Sequence, residues 1–281
     1  MASLQRSIGE TLLALVLLSS ASAPSSADQI GEGGPVDGGI DVRTIVRRAE
    51  NSLRAERTFM RARVTVRSPN RSDGRVIEFE SWNDRIESRS LIRILAPKSA
   101  AGGAILDLPP NLWRYQPELE RTQRILPPAL LEAWMGSDFA IGDLVDPFGD
   151  IEDYEIELLG VNDQAQGVTG TTRSYALQYT PLPGARAARG KIVAWIETEG
   201  GALVRLEFYG ASGESLRTIR FSDVRSVGDR RVSHRWKATS SGEKGRESIL
   251  EIRELRFEAA FDDEIFSTQN LKPIQKQEPG G

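Results

Sequence analysis

The strongest constraint on the fold is an alternation of apolar and polar residues with a period of two, which fills most of the chain after residue 58. In FMRARVTVRS, residues 59–68, Ala62, Val64 and Val66 alternate with arginine and threonine, which is typical of a strand with one buried face. The turn PNRSDG leads into a second segment of this kind, RVIEFESWND at residues 75–84. Together they predict a long β-hairpin.

Similar segments recur along the chain, separated by glycine, proline and Asn/Asp turns. A series of short strands without intervening helices is typical of an antiparallel sheet rather than of βαβ units. We therefore expect a mainly β (α+β) fold built on one strongly curved antiparallel sheet. The further predicted strands are residues 91–95, 104–108, 112–116, 122–125, 154–159, 174–180, 192–197, 202–209, 216–224, 232–238 and 248–257.

An amphipathic helix is predicted just before the first strand, with Asp41 as its N-cap. Apolar residues fall at helical spacing on one face and charged residues on the other. The apolar positions are Val42, Ile45, Val46, Ala49 and Leu53, and the charged positions are Arg43, Arg47, Glu50 and Arg54.

Three shorter segments, residues 128–135, 138–144 and 263–271, are also compatible with helix. The first two are so apolar that other parts of the protein must cover them. Gly136 permits a sharp turn between them, and Ser137 or Asp138 is placed to accept hydrogen bonds from the free N–H groups of the second helix. Pro147 disfavours helix at the residue before it.

The first 27 residues have the parts of a cleavable export signal. Arg6 supplies a positive start, residues 11–18 (TLLALVLL) a short apolar stretch, and residues 25–27 (SSA) small side chains at the cleavage site. We predict cleavage before Asp28, because a cut after Ala23 would leave a proline at the new N-terminus. The apolar stretch is shorter than the roughly 20 residues of a membrane span.

The mature part is thus predicted to be a soluble protein of a bacterial periplasm. It would begin with a glycine-rich flexible leader at residues 28–40 and end in a disordered tail at 272–281. Since the chain has no cysteine, it has no cysteine for lipid attachment, no disulfide and no thiolate metal site. Its net charge of −4 gives no reason to expect nucleic acid as a partner.

No motif of a known catalytic class is present, so the protein is predicted not to be an enzyme and to need no cofactor. Ser137, Asp138 and the single histidine, His234, form a triad only on paper, because their spacing does not support one. An acidic group around residues 143–153 lacks the ordered calcium loop, so solvated turns are the favoured interpretation and no metal site is predicted. This group consists of Asp143, Asp146, Asp150, Glu152 and Asp153.

Three pieces of sequence resemble a known family. They are a W-x-Y-x-P strand (Trp113, Tyr115, Pro117), an R-x-x-R-I strand (Arg121, Arg124, Ile125) and the segment M-G-S-D-F at residues 135–139. In this order they resemble the outer-membrane lipoprotein-sorting proteins of the LolA-like superfamily, in its branch with the M-G-S-D-F segment. The leading helix, the exported N-terminus and FSTQNL at residues 266–271 fit as well, so the resemblance covers most of residues 41–271.

The resemblance implies a half-open β-barrel closed by short helices, with an apolar cavity for acyl chains. Large apolar side chains on short, weakly anchored helices suit a lid over such a cavity. The expected lipid-binding or lid residues are Trp113, Tyr115, Trp134, Met135, Phe139 and Leu144, with Gly136, Ser137 and Asp138 as the motif turn. An alternative is that Trp134, Met135 and Phe139 simply complete the core.

The predicted function is that of a monomeric periplasmic carrier, which binds acyl chains of lipoproteins or other lipids and moves them toward the outer membrane. A different function class stays open, namely an adaptor subunit that docks on an inner-membrane transporter and binds a protein partner. Exposed edges of a sheet allow that second mode by strand addition.

Overall fold

The computed structural model of the protein describes residues 41–69, 71–145, 151–167, 170–185, 190–242 and 244–272. The predicted signal peptide (1–27), the leader (28–40) and tail residues 273–281 lie outside this part of the chain. No helix among the described residues is long and apolar enough to cross a membrane.

Every predicted strand is present. The strands are β1 (Arg57–Ser68), β2 (Arg71–Asp84), β3 (Arg89–Ala96), β4 (Ala104–Leu108), β5 (Asn111–Gln116), β6 (Arg121–Ile125), β7 (Tyr154–Gly167), β8 (Gly170–Pro181), β9 (Ile192–Glu197), β10 (Leu203–Tyr209), β11 (Ser215–Val227), β12 (Arg230–Ser240) and β13 (Glu247–Phe257). The described residues also form two α-helices, α1 (Val42–Leu53) and α2 (Ile141–Val145), and several short 3₁₀ turns.

The strands form one antiparallel sheet in the order β6-β5-β4-β3-β2-β1-β13-β12-β11-β10-β9-β8-β7. It consists of two meanders, β1 to β6 and β7 to β13, joined where β1 pairs with β13. The predicted hairpin has the expected alternation, because Val64 lies opposite Ile77 on one side and Leu250 on the other, and all three are buried.

The sheet is strongly curved and open, as predicted. A flat sheet of this many strands would be roughly 60 Å wide at the usual strand spacing. Yet one continuous core contains Ile105 and Leu112 from β4 and β5 together with Tyr154 and Leu177 from β7 and β8, near the opposite edge. The sheet must therefore wrap around this core.

Helix α1 fills part of the concave face. Asp41 caps it as predicted, since the carboxylate accepts the N–H of Arg43 at 3.2 Å. Ile45, Val46 and Ala49 are buried in the core as expected.

Glu50, predicted on the exposed face of α1, is instead buried. Its carboxylate pairs with Arg54 at 3.2 Å and with Arg85, the first residue of the β2–β3 turn, at 3.1 Å. A buried carboxylate needs such partners. Arg85 is far from Glu50 in sequence, so helical spacing alone did not indicate it.

The three other predicted helices are shorter than expected. Residues 128–135 form two 3₁₀ turns, Pro127–Leu131 and Trp134–Gly136, residues 138–144 form α2 from Ile141, and residues 263–271 form only the turn Asp263–Phe266. The physical reason in the central region is an isolated β-bridge between Ala133 and Ala140, since a bridge requires extended backbone where helix was predicted.

A second hydrophobic cluster joins β3, β4 and β5 to the C-terminal segment, residues 261–271. Phe266 and Leu271 of this segment are buried there. Arg93 holds it by donating to the carbonyl oxygens of Asn270 at 3.0 Å and Leu271 at 3.2 Å. In the strands, Ile92 follows Leu91 of this cluster, and Ile105 lies between its residues Ala104 and Leu106; both isoleucines belong to the main core. Because successive side chains of a strand point to opposite faces, the second cluster lies on the other face of the sheet.

Candidate functional site

The open side of the sheet is crossed by one segment, residues 127–145, which we call the lid segment. It follows the edge strand β6 and precedes, in sequence, the other edge strand β7. Its large apolar side chains point into the main core: Trp134, Phe139 and Leu144 are all buried. The indole of Trp134 meets the ring of Phe79 edge to face, with 5.1 Å between ring centroids.

The M-G-S-D-F turn reverses the lid segment through two left-handed residues, Met135 (φ +47°) and Gly136 (φ +65°). The prediction that Gly136 permits a sharp turn is thus confirmed. Three carbonyl oxygens of this turn accept hydrogen bonds from arginines: Arg75 donates to Met135, Arg246 to Gly136, and Arg217 to Asp138 at 3.3 Å.

Asp138 holds the turn to the rim of the sheet through a buried network. Its carboxylate accepts hydrogen bonds from the hydroxyl groups of Ser248 at 2.6 Å and Ser240 at 2.8 Å. The backbone N–H of Asp138 donates to the Ser248 hydroxyl at 2.9 Å. Arg246 adds an ion pair at 3.6 Å. Because a buried carboxylate is stable only when it is hydrogen bonded or paired, this network explains the aspartate of the motif.

The Ser137 hydroxyl accepts the N–H of Phe139 at 3.3 Å, as predicted, but the helix does not start there. Helix α2 begins only at Ile141, and the N–H before it, that of Ala140, is accepted by the carboxylate of Asp143 at 2.7 Å. The Ser137 hydroxyl donates to the carbonyl oxygen of Trp134 at 2.7 Å, which closes the turn itself.

The lid segment was expected to be weakly anchored, but several polar contacts hold it to the sheet near the motif turn. Asp143 forms a two-pronged ion pair with Arg217, in addition to the contacts of the motif turn. The local sequence could not reveal these anchors because their partners lie on distant strands; Ser248, for example, is 110 residues from Asp138.

The described residues form cavities on several sides of the lid segment. One, of about 700 Å³, lies where the ends of β8 to β12 face the segment, and we call it the rim groove. Its apolar lining includes Leu131, Phe139, Phe208 and Leu216. A second cavity of about 350 Å³ lies on the β3 to β5 side, and a third of about 50 Å³ lies beneath α1 and α2. The first two have the size of ligand pockets, which is about 300 to 1,000 Å³.

The predicted site residues are divided among these places. Tyr115, Trp134, Met135 and Gly136 border the 350 Å³ cavity, Ser137, Asp138 and Phe139 border the rim groove, and Leu144 borders the 50 Å³ cavity. Trp113 borders none of the three and packs, half-buried, beside the C-terminal segment, in the same cluster as Tyr115. The structure thus joins most of the set around the lid segment and separates Trp113 from it.

The triad does not assemble. The Ser137 and Asp138 side chains are bonded as described above, and the buried ring of His234 contacts the carbonyl oxygen of Val232 through Nδ1 at 2.9 Å. In the part of the chain that the structure describes, no group of three or more His, Cys, Asp or Glu is placed to hold a metal ion. Of the acidic group, Asp146 and Asp150 lie outside that part.

Lys191, immediately before β9, is a lining residue of the rim groove that the sequence did not indicate. Its ammonium group lies over the ring of Tyr209, 4.7 Å from the centroid. Neither residue stands out in sequence, since a strand-end lysine after a glycine is usually a solvated turn residue.

Three solved structures have the same fold. An outer membrane lipoprotein-sorting protein domain, so named, from Vibrio parahaemolyticus has a TM-score of 0.69 at 20% identity, covering 81% of this chain and 97% of its own. A DUF1329 family protein from Desulfovibrio piger gives 0.71 at 18%, covering 82% and 97%. A LolA superfamily protein from Nitrosomonas europaea gives 0.68 at 19%, covering 82% and 99%.

In sequence, the chain matches no curated protein. A family model described as "-like: Uncharacterized protein" matches residues 87–273, which include the lid segment and the C-terminal segment. The chain therefore belongs to the family of this model, and its fold is that of the LolA superfamily.

Proposed function

We propose that this protein is a non-enzymatic carrier that binds acyl chains of lipoproteins or other lipids in the periplasm and moves them toward the outer membrane. The observation that carries the proposal is the way in which the curved sheet is closed. Its open side is covered by the lid segment, whose apolar side chains occupy the core and whose flanks border two ligand-sized cavities. Because the lid segment contributes no strand to the sheet, it could move aside without breaking any strand pairing of the sheet.

The rim groove is the proposed acyl site. The 50 Å³ cavity beneath the helices is far smaller than a ligand pocket, so an acyl chain would enter there only by displacing lid side chains. In the rim groove it would lie along Leu131, Phe208 and Leu216, with Phe139 as the floor. Leu131 and Leu216 are 43% and 45% exposed, and covering them with an acyl chain would remove apolar surface from water.

The predicted export signal is consistent with this proposal. We expect the mature N-terminus at Asp28 in protein taken from a periplasmic extract, as measured by N-terminal sequencing. An intact Met1 on the exported protein would contradict the signal, although not the lipid site.

The proposal is tested by binding of a fluorescent fatty-acyl probe to Phe139→Ala and to a matched control, Phe221→Ala. Both phenylalanines are buried in the same core, but Phe221 borders none of the three cavities. Each truncation should lower the stability by about 3 to 5 kcal/mol. Only Phe139→Ala should weaken probe binding per folded molecule.

Two results would contradict the carrier function. Equal probe affinity in both variants and the wild type would leave the lid segment as ordinary core. Absence of probe binding by the wild type, together with native mass spectra free of co-purified lipid, would refute the acyl site altogether. If lipid binding is absent but the protein retains a membrane protein in a pull-down, the adaptor function is favoured. The edge strands β6 and β7 could bind such a partner by strand addition, because each has one neighbour among the described strands.

A further inference from the structure

The lining of the rim groove includes a cation that no carboxylate of the described residues pairs with. This cation is Lys191, whose ammonium group lies over the face of the Tyr209 ring. Among the described residues no carboxylate lies within 4.0 Å of it. An ammonium group that stacks on an aromatic ring keeps its charge and its capacity to donate hydrogen bonds.

The other charged groups of the groove are already paired. The guanidinium of Arg217 is held by the carboxylate of Asp143, and the carboxylate of Asp138 accepts two serine hydroxyls and faces Arg246. Glu214, on the β10–β11 turn, lies close to Gly210 of the lining but forms no ion pair with Lys191. Lys191 is therefore the charge in the lining that is left for a ligand.

From this arrangement we propose that the rim groove binds an anionic amphiphile, with the acyl chain along Phe139, Phe208 and Leu216 and the anionic headgroup at Lys191. The inference rests on the proposed function, because it assigns the headgroup class of the same acyl site. The apolar wall and the ammonium group both belong to the groove lining, so one molecule with a chain and a terminal carboxylate or phosphate would satisfy both. A free anion would leave the apolar wall uncovered.

The test compares a long-chain fatty acid with the fatty alcohol of equal length, as competitors of a fluorescent acyl probe at pH 8 and low salt. The wild type should bind the acid roughly threefold to tenfold more tightly than the alcohol, as expected for one partly solvated charge pair. Lys191→Met keeps an apolar stem over Tyr209 but removes the charge, so it should bind acid and alcohol equally. Lys191→Arg should keep the preference.

The matched control is Lys272→Met, at an exposed lysine outside the groove lining. It makes the same change in charge and should leave the preference for the acid intact. Added salt should reduce the preference in the wild type, because ions screen charges near the surface. Melting temperatures of the variants should agree with the wild type, which separates a headgroup effect from misfolding.

The outcomes separate this inference from the proposed function. If acid and alcohol bind the wild type equally well, the headgroup assignment is wrong and the acyl site stands. If neither competes with the probe, both fail. If inorganic phosphate alone displaces the probe as well as the acid does, the groove binds a free anion, which overturns the assignment to an amphiphile.

Discussion

Replacing Asp138 tests whether the motif turn is an anchor. The side chain is 2% exposed, and its carboxylate is the shared partner of Ser240, Ser248 and Arg246. In Asp138→Ala the two hydroxyls lose this acceptor and the guanidinium of Arg246 loses one ion-pair partner. Nothing that alanine brings can replace these contacts, so the lid segment should lose its main polar attachment to β12 and β13.

The expected loss of unfolding free energy in Asp138→Ala follows from these contacts. Hydrogen bonds to a charged group contribute about 1.5 to 3 kcal/mol each, and removing one partner of a buried ion pair costs about 3 to 5 kcal/mol. Such terms are not additive, and the side chain of Arg246, 18% exposed, can reach water. We therefore expect Asp138→Ala to lower the free energy of unfolding by about 3 to 5 kcal/mol. Asp138→Asn, which keeps one acceptor oxygen, should cost about 1 to 2 kcal/mol.

The assay is equilibrium unfolding in urea, with Glu254→Ala as the control. Glu254 is an exposed carboxylate on β13 that pairs with Arg256 at 3.2 Å, and exposed pairs contribute about 0 to 1 kcal/mol. The order of stability should be wild type and Glu254→Ala, then Asp138→Asn, then Asp138→Ala. A loss below about 1 kcal/mol for Asp138→Ala would refute the anchoring role, because a desolvated carboxylate with these partners cannot be removed so cheaply.

Three further predictions concern other buried or crowded positions. The Nε1 of Trp134 has no hydrogen-bond partner among the described residues, so Trp134→Phe should lose apolar packing only; it should lower the unfolding free energy by about 1 to 2 kcal/mol, and a loss above about 4 kcal/mol, as large as that of a truncation to alanine, would contradict the absence of a hydrogen bond to this N–H. A hydrogen bond from Lys237 lowers the pKa of Glu247, so its stabilising effect is present above the ordinary pKa of a glutamate and is lost as the pH falls through the lowered value; Glu247→Gln should destabilise the protein at pH 7, reduce its acid dependence in urea unfolding curves, and have little effect at pH 2. Gly190 adopts φ +69°, and a Cβ there would overlap the carbonyl oxygen of Tyr209; Gly190→Ala should lower the melting temperature strongly, and an unchanged value would contradict the close approach.

The strands were predictable because each has a local signal. Ala62, Val64 and Val66 alternate with polar neighbours within a single stretch, and their burial follows directly. The lid segment lacked such a signal. Its run of large apolar residues was assigned to two helices, but the backbone is set by Met135 and Gly136 in the left-handed region and by the bridge at Ala133.

The position of the site was only partly predictable for a related reason. Phe139 is identified by the motif, whereas Arg75, Arg217 and Lys191 come from parts of the chain far away in sequence, and only the wrapping of the sheet brings them to the lid segment. Trp113 was assigned to the lipid site from its motif, yet its side chain packs beside Phe266 and Leu271 in the second cluster. One residue of register decides which face of a strand a side chain occupies.

Under the proposed carrier function, the polar anchors and the buried apolar side chains of the lid segment would make different contributions as the segment opens and closes. Burial of Trp134 and Phe139 supplies most of the attraction, but apolar contact is non-directional and several packings have similar energies. Hydrogen bonds to the carbonyl oxygens of Met135, Gly136 and Asp138 depend on distance and angle, and they arrive from three different parts of the sheet. Because these contacts involve the backbone, they fix the position of the turn whatever the apolar side chains do. A lid segment displaced by an acyl chain would therefore return to the same register once the chain has left.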